Sequence, residues 1–140
     1  MTTRDEIGDI IDTFDLLGDW DQRYEYLMEL GERLPAMDPA DKIDANRVME
    51  CMSTVHVTAR PMEGSRQLHF QGDCDTAIIK GVVALLVGLF DGKTADEVDA
   101  ADVDALFEGL RLEEHLSPNR HVGVYAIVNK MKQQAARAAA

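Results

Sequence analysis

The chain has 140 residues, 46% of them hydrophobic and 29% charged, which is enough apolar material for one buried core and too much for a disordered segment. Its formal net charge of -12 repels a phosphate backbone, so nucleic-acid binding is not expected. The longest apolar stretch, residues 77–90, contains a lysine and two glycines and is too short to cross a bilayer. The first residues are polar and acidic rather than signal-like, and we predict a cytoplasmic protein that binds no membrane.

Hydrophobic periodicity predicts two helices at the start of the chain. Thr2 or Thr3 can cap the first helix, apolar residues recur at i, i+3, i+4 and i+7 within residues 7–14, and Gly18 ends this helix. Asp19 is placed to cap a second helix, which ends before Pro35. The polar residues 39–45 predict turns.

The periodicity then changes from helical to alternating. Apolar and polar side chains alternate in residues 55–59 and again in 67–71, with Glu63, Gly64 and Ser65 as a turn between them, which predicts a hairpin. A short third strand is predicted at residues 46–49. Helices before and after the strands indicate a two-layer α+β fold, with a small three-stranded antiparallel sheet packed against helices in a single domain over residues 1–140.

The second half of the chain is predicted to be helical. Asp73 or Asp75 caps a long apolar helix that ends at Gly92. Thr94 begins a short helix with a capping box, and residues 103–109 form another.

A last helix is predicted to begin at Ser117 and Pro118, because proline is tolerated in the first turn. Its alanine-rich end from Gln133 is expected to fray. The predicted buried face of this helix consists of Val124, Ile127, Val128 and Met131.

Two cysteines are the main candidates for chemistry. Cys51 lies in a predicted loop before the first strand, and Cys74 lies at the predicted start of the apolar helix, between two aspartates. A cysteine is most often a small buried hydrophobe, and we favour that interpretation for Cys74 because the flanking carboxylates oppose a thiolate. In a reducing cytosol both are expected to be thiols, which disfavours a disulfide between them.

The histidines suggest no catalytic base. His56 and His69 are predicted on the polar face of the hairpin, and the other two flank the turn at 117–118. A zinc site built from His56, His69 and the two cysteines lacks the paired spacing of common zinc sites, so no metal is expected.

Four groups of residues form a further pattern: residues 20–24 and 29–35, residues 46–48 leading to Cys51, residues 72–75 and 78–81, and residues 115–120 followed by Gly123. Taken together, these stretches resemble the SufE family of sulfur acceptors. They occur in the family's order and spacing and span about residues 5–132. The resemblance implies a SufE/NifU-like fold, in which helices cover one side of a small antiparallel sheet.

The resemblance also implies a function. In that family a cysteine desulfurase that uses pyridoxal phosphate makes a persulfide on its own cysteine. The acceptor takes the terminal sulfur, which stimulates the desulfurase, and passes the sulfur to a scaffold complex that builds iron–sulfur clusters. Cys51 matches the acceptor cysteine, and the acceptor itself needs no cofactor. The family favours a monomer or a weak dimer.

Three further residues take implied roles in partner binding or loop support. Arg120 and Asp75 match family positions near the cysteine loop; their alternative interpretations are a surface residue and an N-cap. Glu50 stands where the family usually has glycine, and a carboxylate beside Cys51 disfavours its thiolate. Glu50 therefore motivates an alternative function, a regulator that binds a desulfurase without carrying sulfur.

Two other positions depart from the family pattern, and one feature of the loop is expected to follow it. His56 replaces a common tryptophan, and Cys74 replaces a common serine. We expect Cys51 and Met52 to lie against the apolar core, which would shelter a persulfide.

Overall fold

The computed structural model describes residues 2–140, and within that range it contains seven α-helices, two 3₁₀ turns and one sheet of two antiparallel strands. The fold is therefore α+β. In chain order the elements are α1 (Thr3–Leu16), α2 (Trp20–Glu32), 3₁₀ turns at Pro39–Asp41 and Asp44–Asn46, β1 (Val55–Pro61), β2 (Leu68–Cys74), α3 (Ala77–Phe90), α4 (Ala95–Ala100), α5 (Val103–Leu110), α6 (Leu112–His115) and α7 (Pro118–Ala139).

The predicted N-terminal helices are confirmed, together with their caps. The Thr2 side chain accepts a hydrogen bond from the Asp5 backbone N–H, and the Thr2 backbone N–H donates to the Asp5 carboxylate, which completes a capping box. The hydrogen bonds that Thr2 donates lower the pKa of Asp5. The Asp19 carboxylate accepts from the Gln22 N–H at 2.9 Å and begins α2.

The predicted hairpin is also confirmed. Val55 pairs with Cys74 at its open end and Pro61 with Leu68 near the turn. The alternation holds along β2 but fails at the start of β1, where His56 and Thr58 are buried together with the valines beside them. The prediction of a surface His56 is wrong because helix α7 packs along this strand.

The prediction of a third strand is wrong. Residues 46–49 contribute one antiparallel bridge, between Arg47 and His56, which includes the hydrogen bond from the Val48 N–H to the Val55 carbonyl at 2.9 Å. Pairing stops there because a 3₁₀ turn immediately precedes the bridge. Immediately after it the Cys51 N–H donates back to the Val48 carbonyl at 3.3 Å, which curls the chain.

Helix α3 begins later than predicted, at Ala77 after an N-cap position at Thr76. Cys74 is therefore the last residue of β2 rather than part of the helix, and neither Asp73 nor Asp75 is an N-cap. Asp73 instead pairs with two lysines, Lys42 at 2.9 Å and Lys80 at 3.6 Å. In the sequence alone, an aspartate at the end of a strand looks the same as an aspartate that caps a helix, which explains the wrong prediction.

Helix α3 is the centre of the core, as its apolar sequence predicts, and α2 crosses it closely. A Cβ at Gly81 would overlap the Leu27 carbonyl of α2, so the absence of a side chain allows the two helices to approach. On another face, Val83 and Val87 of α3 pack over Gly72 of β2.

The starts of the predicted helices after α3 are confirmed, and one further helix is present. Thr94 and Glu97 form the predicted capping box, and Ser117 caps α7 by accepting from the Arg120 N–H at 3.3 Å. The short helix α6 was not predicted. It follows a break at Arg111, whose φ is 56°.

The C-terminal end of α7 does not fray, contrary to the prediction. The helix continues to Ala139, and Gln134 is buried. The Gln134 amide donates to the Val57 carbonyl at 2.6 Å and to the Asn46 side chain at 3.3 Å. A polar side chain that bonds to the edge of β1 therefore holds this end of α7.

The outer edge of β2 is bonded as well. The Leu68 N–H donates to the Lys93 carbonyl at 2.8 Å, the Gly92 N–H donates to the Leu68 carbonyl at 2.8 Å, and the Phe70 N–H donates to the Asp91 carboxylate at 2.9 Å. The chain after α3 thus turns back along the strand. Across residues 2–140, none of the helices combines the length and the apolar character that spanning a membrane requires.

Candidate functional site

The site is centred on residues 49–54, which we call the cysteine loop, between the bridge at Arg47 and the start of β1. Cys51 points inward and is only 7% exposed, whereas Met49 and Met52 point outward and are 60% and 78% exposed. The loop therefore hides its thiol and displays two thioethers. The expected shelter for Cys51 is present, but Met52 does not form it.

Gly123 of helix α7 forms part of that shelter. A Cβ at this position would lie 2.9 Å from the Cys51 sulfur, which is closer than real Cβ atoms pack. Only glycine therefore allows Cys51 to rest against the α7 backbone in this geometry. Gly123 has no predicted role, although a glycine inside a predicted helix costs about 1 kcal/mol relative to alanine and thus signals a packing constraint.

The second half of the loop is tied to the connection between β2 and α3. The Ser53 and Thr76 hydroxyls share a hydrogen bond of 2.7 Å. The Asp75 carboxylate accepts from the Thr54 N–H at 2.9 Å, and the Asp75 N–H donates to the Thr54 carbonyl at 3.2 Å. Asp75 thus fixes the base of the loop.

A depression of about 430 Å³ opens beside Cys51. Asp75 and Ile79 line one side of it, and Asn119 and Arg120 from the start of α7 line another. Arg120 is exposed and forms no ion pair with any carboxylate of residues 2–140. The structure therefore brings three predicted site residues, Cys51, Asp75 and Arg120, to one depression.

The fourth predicted residue, Glu50, is not among them. It is exposed and lines a separate depression on the other side of the loop, together with Arg47 and Lys130. The two neighbours in sequence, Glu50 and Cys51, thus face different surroundings.

Cys74 is buried, and within residues 2–140 both cysteines are free thiols. Burial raises the pKa of Cys74 to about 11, and the negative charges of Asp75, Cys51 and Asp73 add to this, against a hydrogen bond of 3.4 Å from the Thr76 N–H to the sulfur. Cys74 is therefore protonated and unreactive at neutral pH.

Two aromatic contacts hold the segment that leads into Arg120. The His115 ring stacks on Trp20 with centroids 3.5 Å apart, and the Tyr24 hydroxyl donates to the His115 carbonyl at 2.8 Å. Among residues 2–140, no group of three or more His, Cys, Asp or Glu side chains is arranged to hold a metal ion.

These features define a class of protein: a small α+β protein that keeps one cysteine sheltered on a loop beside an unpaired arginine. The same fold occurs in the solution structure of a hypothetical protein from Thermus thermophilus, with a TM-score of 0.77 over 95% of each chain at 21% identity.

Sequence comparison gives the family. The model of the SufE family, described as an Fe-S metabolism associated domain, matches residues 8–135. SufE-like proteins of Rhizobium meliloti (strain 1021) and Rhizobium etli are 34% and 36% identical over 137 and 139 residues, covering 96% of this chain and 96% and 93% of theirs. The chain therefore belongs to the SufE family and is associated with iron–sulfur metabolism, as the resemblance predicted.

Proposed function

We propose that the protein is a sulfur acceptor. Cys51 takes a persulfide sulfur from a cysteine desulfurase that uses pyridoxal phosphate, stimulates that enzyme, and passes the sulfur to the scaffold complex that builds iron–sulfur clusters. The observation that carries the proposal is the placement of Cys51, 7% exposed on a loop and packed against Gly123. A carrier needs such a thiol because two partners must be able to reach its persulfide, and the persulfide must be protected after it leaves the first partner and before it meets the second.

The transfer is a thiol–disulfide type exchange. The Cys51 thiolate attacks the terminal sulfur of the desulfurase persulfide, a new S–S bond forms to Cys51, and the old S–S bond breaks. The desulfurase cysteine leaves as a thiolate, and the persulfide now resides on Cys51. No cofactor of the acceptor's own takes part.

The loop must turn outward for this reaction, because in the sheltered position the Cys51 sulfur faces helix α7. The bridge at Arg47 and the pairing of Val55 with Cys74 fix both ends of the moving segment. Residues 49–52 can therefore swing while the hairpin keeps its register. When the loop opens, the first contact under strain is the hydrogen bond between the Ser53 and Thr76 hydroxyls.

The proposal extends to the rest of the molecule. The chain acts as a single domain, residues 1–140, in the cytoplasm, as a monomer or a weak dimer. Asp75 supports the loop, and Arg120 contacts the desulfurase or the incoming persulfide, since it lines the same depression as Cys51 without an ion-pair partner.

The test is the intact mass of the protein after incubation with a cysteine desulfurase, pyridoxal phosphate and cysteine, followed by peptide mapping. We expect the gain of one sulfur atom on Cys51, reversible by a reductant. Cys51→Ser should abolish the gain, and the matched variant Cys74→Ser should retain it. A label on Cys74, or a label that survives Cys51→Ser, would refute the assignment.

A binding-only regulator is the alternative function, because Cys51 is nearly inaccessible and has Glu50 beside it. The same variants separate the two functions when desulfurase turnover is measured. A regulator would still stimulate turnover after Cys51→Ser, whereas a sulfur acceptor would not.

A further inference from the structure

The larger depression on the other side of the cysteine loop has no role in the chemistry above. It measures about 490 Å³ and lies between residues 47–50 and one face of helix α7. Arg47, His121 and Lys130 line it together with apolar residues, of which Met49 and Val122 are each 60% exposed.

Its basic groups are not used within the protein. The chain has 26 acidic and 14 basic residues, yet neither Arg47 nor Lys130 forms an ion pair with a carboxylate of residues 2–140. Two buried nitrogens, Arg47 Nε and His121 Nδ1, also lack a hydrogen-bond partner. The side chains of Arg47 and Lys130 nevertheless line the depression, so a group that enters it can interact with both.

The local charge contrasts with that of the molecule. Two cations, Arg47 and Lys130, face one carboxylate, Glu50, while the whole chain has a net charge of -12. A complementary occupant is therefore anionic. The exposed Met49 and Val122 add apolar contact area that a free inorganic anion would leave unused, whereas an acidic side chain flanked by apolar ones would cover it.

We propose that this depression binds a carboxylate side chain, flanked by apolar residues, on the surface of the partner desulfurase. The inference rests on the sulfur-acceptor function proposed above. The backbone bridge of Arg47 to His56 and the place of Lys130 and Val122 on α7 keep these residues outside the moving segment, whereas Met49 and Glu50 move with it. Docking through Arg47, Lys130 and Val122 holds the acceptor in place while Cys51 turns toward the desulfurase.

The test measures docking without sulfur transfer. The full chain with Cys51→Ser is titrated with the desulfurase by calorimetry, alone and combined with Lys130→Glu. We expect Lys130→Glu to weaken binding about tenfold or more, because it places a like charge against the partner carboxylate. The parent affinity should also fall with added salt, and less steeply in the variant.

Arg66→Glu is the matched control. Arg66 is an exposed arginine that lines a different depression, near the hairpin turn, and its replacement changes the net charge equally. We expect its affinity to stay within about twofold of the parent, since separated surface charges are screened. Equal weakening by both variants would show a general charge effect and overturn the proposal.

Two further variants protect the test against misfolding. Arg47→Gln removes one cation without adding a charge and should weaken binding severalfold, with an unchanged melting temperature. Glu50→Gln should strengthen binding, since it removes the one opposing carboxylate. Binding of inorganic phosphate that Lys130→Glu abolishes, with unchanged desulfurase affinity, would make the depression a free-anion site and overturn docking.

The two proposals fail in different ways. Sulfur labelling of the unaltered protein tests Cys51 as acceptor whatever Lys130 does. Loss of labelling with intact, Lys130-dependent docking would refute only the acceptor function. Absence of any binding by the Cys51→Ser chain would refute only the docking site if labelling of the unaltered protein persists.

Discussion

At the scale of single residues, the contact between Cys51 and Gly123 sets how far the thiol is exposed. We predict that Gly123→Ala pushes Cys51 out of its shelter, because the new Cβ would lie 2.9 Å from the sulfur. The variant should lose about 1–3 kcal/mol of unfolding free energy through overpacking. Its Cys51 should react faster with iodoacetamide, as measured by mass spectrometry.

The control is Gly88→Ala, on an exposed position of α3 where a Cβ meets nothing within 4 Å. This variant should gain about 0.5–1 kcal/mol of unfolding free energy, because alanine favours a helix more than glycine does. Unchanged reactivity and stability in Gly123→Ala would show that this contact does not shelter the thiol.

Cys74 gives the protein a specific dependence on alkaline pH. Its pKa is raised by burial from 9.0 to about 11 in the folded state, so the unfolded chain loses this proton first as pH rises. The contribution of this raised pKa to the free energy of unfolding, about 2–3 kcal/mol, is complete below pH 9 and is lost between pH 9 and about 11.

Urea unfolding at several pH values checks this dependence. Cys74→Ser lacks the thiol, so its unfolding free energy should fall less over that interval. Tyr125, with a pKa raised to about 12 by burial and by the Asp104 carboxylate, contributes equally to both chains. Parallel curves for the two chains would contradict the prediction.

At the scale of elements, the cysteine loop is held by ties to the start of α3. We predict that Ser53→Ala, which removes the hydrogen bond to Thr76, lets the loop open more often. The variant should lose about 1 kcal/mol of unfolding free energy. Its Cys51 should be alkylated severalfold faster if opening of the loop limits the reaction.

The matched control for Ser53→Ala is Ser65→Ala. Ser65 accepts a local hydrogen bond from the Gln67 N–H at 3.0 Å in the hairpin turn, far along the chain from the loop. Loss of this hydrogen bond should leave the alkylation rate of Cys51 unchanged. Equal acceleration in both variants would mean that general destabilisation, not the tie, controls access to Cys51.

At the scale of the whole molecule, the net charge of -12 makes self-repulsion a term in stability. We predict that raising potassium chloride from low to physiological strength stabilises the fold by about 1 kcal/mol, or about 3–5 °C in melting temperature. Salt also weakens exposed pairs such as Arg60 with Asp41, but such pairs contribute little. A lower melting temperature in salt, measured by calorimetry, would show that ion pairs dominate.

Local chemistry accounts for what the sequence predicted correctly. Thr2, Asp19, Thr94 and Ser117 each accept from the backbone N–H of a residue one helical turn ahead, so each helix start is readable within a few positions. The hairpin likewise depends on a short turn between alternating strands. Nearly the whole element order follows from such signals, apart from α6, which was missed, and the third strand, which is absent from the sheet.

Three errors arose where a distant segment decides the structure. His56 and Gln134 are buried because α7 packs on β1, a contact between residues far apart in sequence. Cys74 lies in a strand because Val55 pairs with it. The family pattern, not local chemistry, singled out Cys51, and the partner of its sulfur, Gly123, emerges only when α7 and the loop meet.

A sheet of two strands presents two edges, and an exposed edge is where edge-to-edge aggregation between copies of a protein starts. Here the Gln134 amide donates a hydrogen bond to the Val57 carbonyl at one edge. At the other edge the Phe70 N–H donates to the Asp91 carboxylate, and the Leu68 N–H donates to the Lys93 carbonyl. A chain from another copy would have to displace these groups before it could add a strand. The sheet that carries the cysteine loop is thereby protected against edge-to-edge polymerisation.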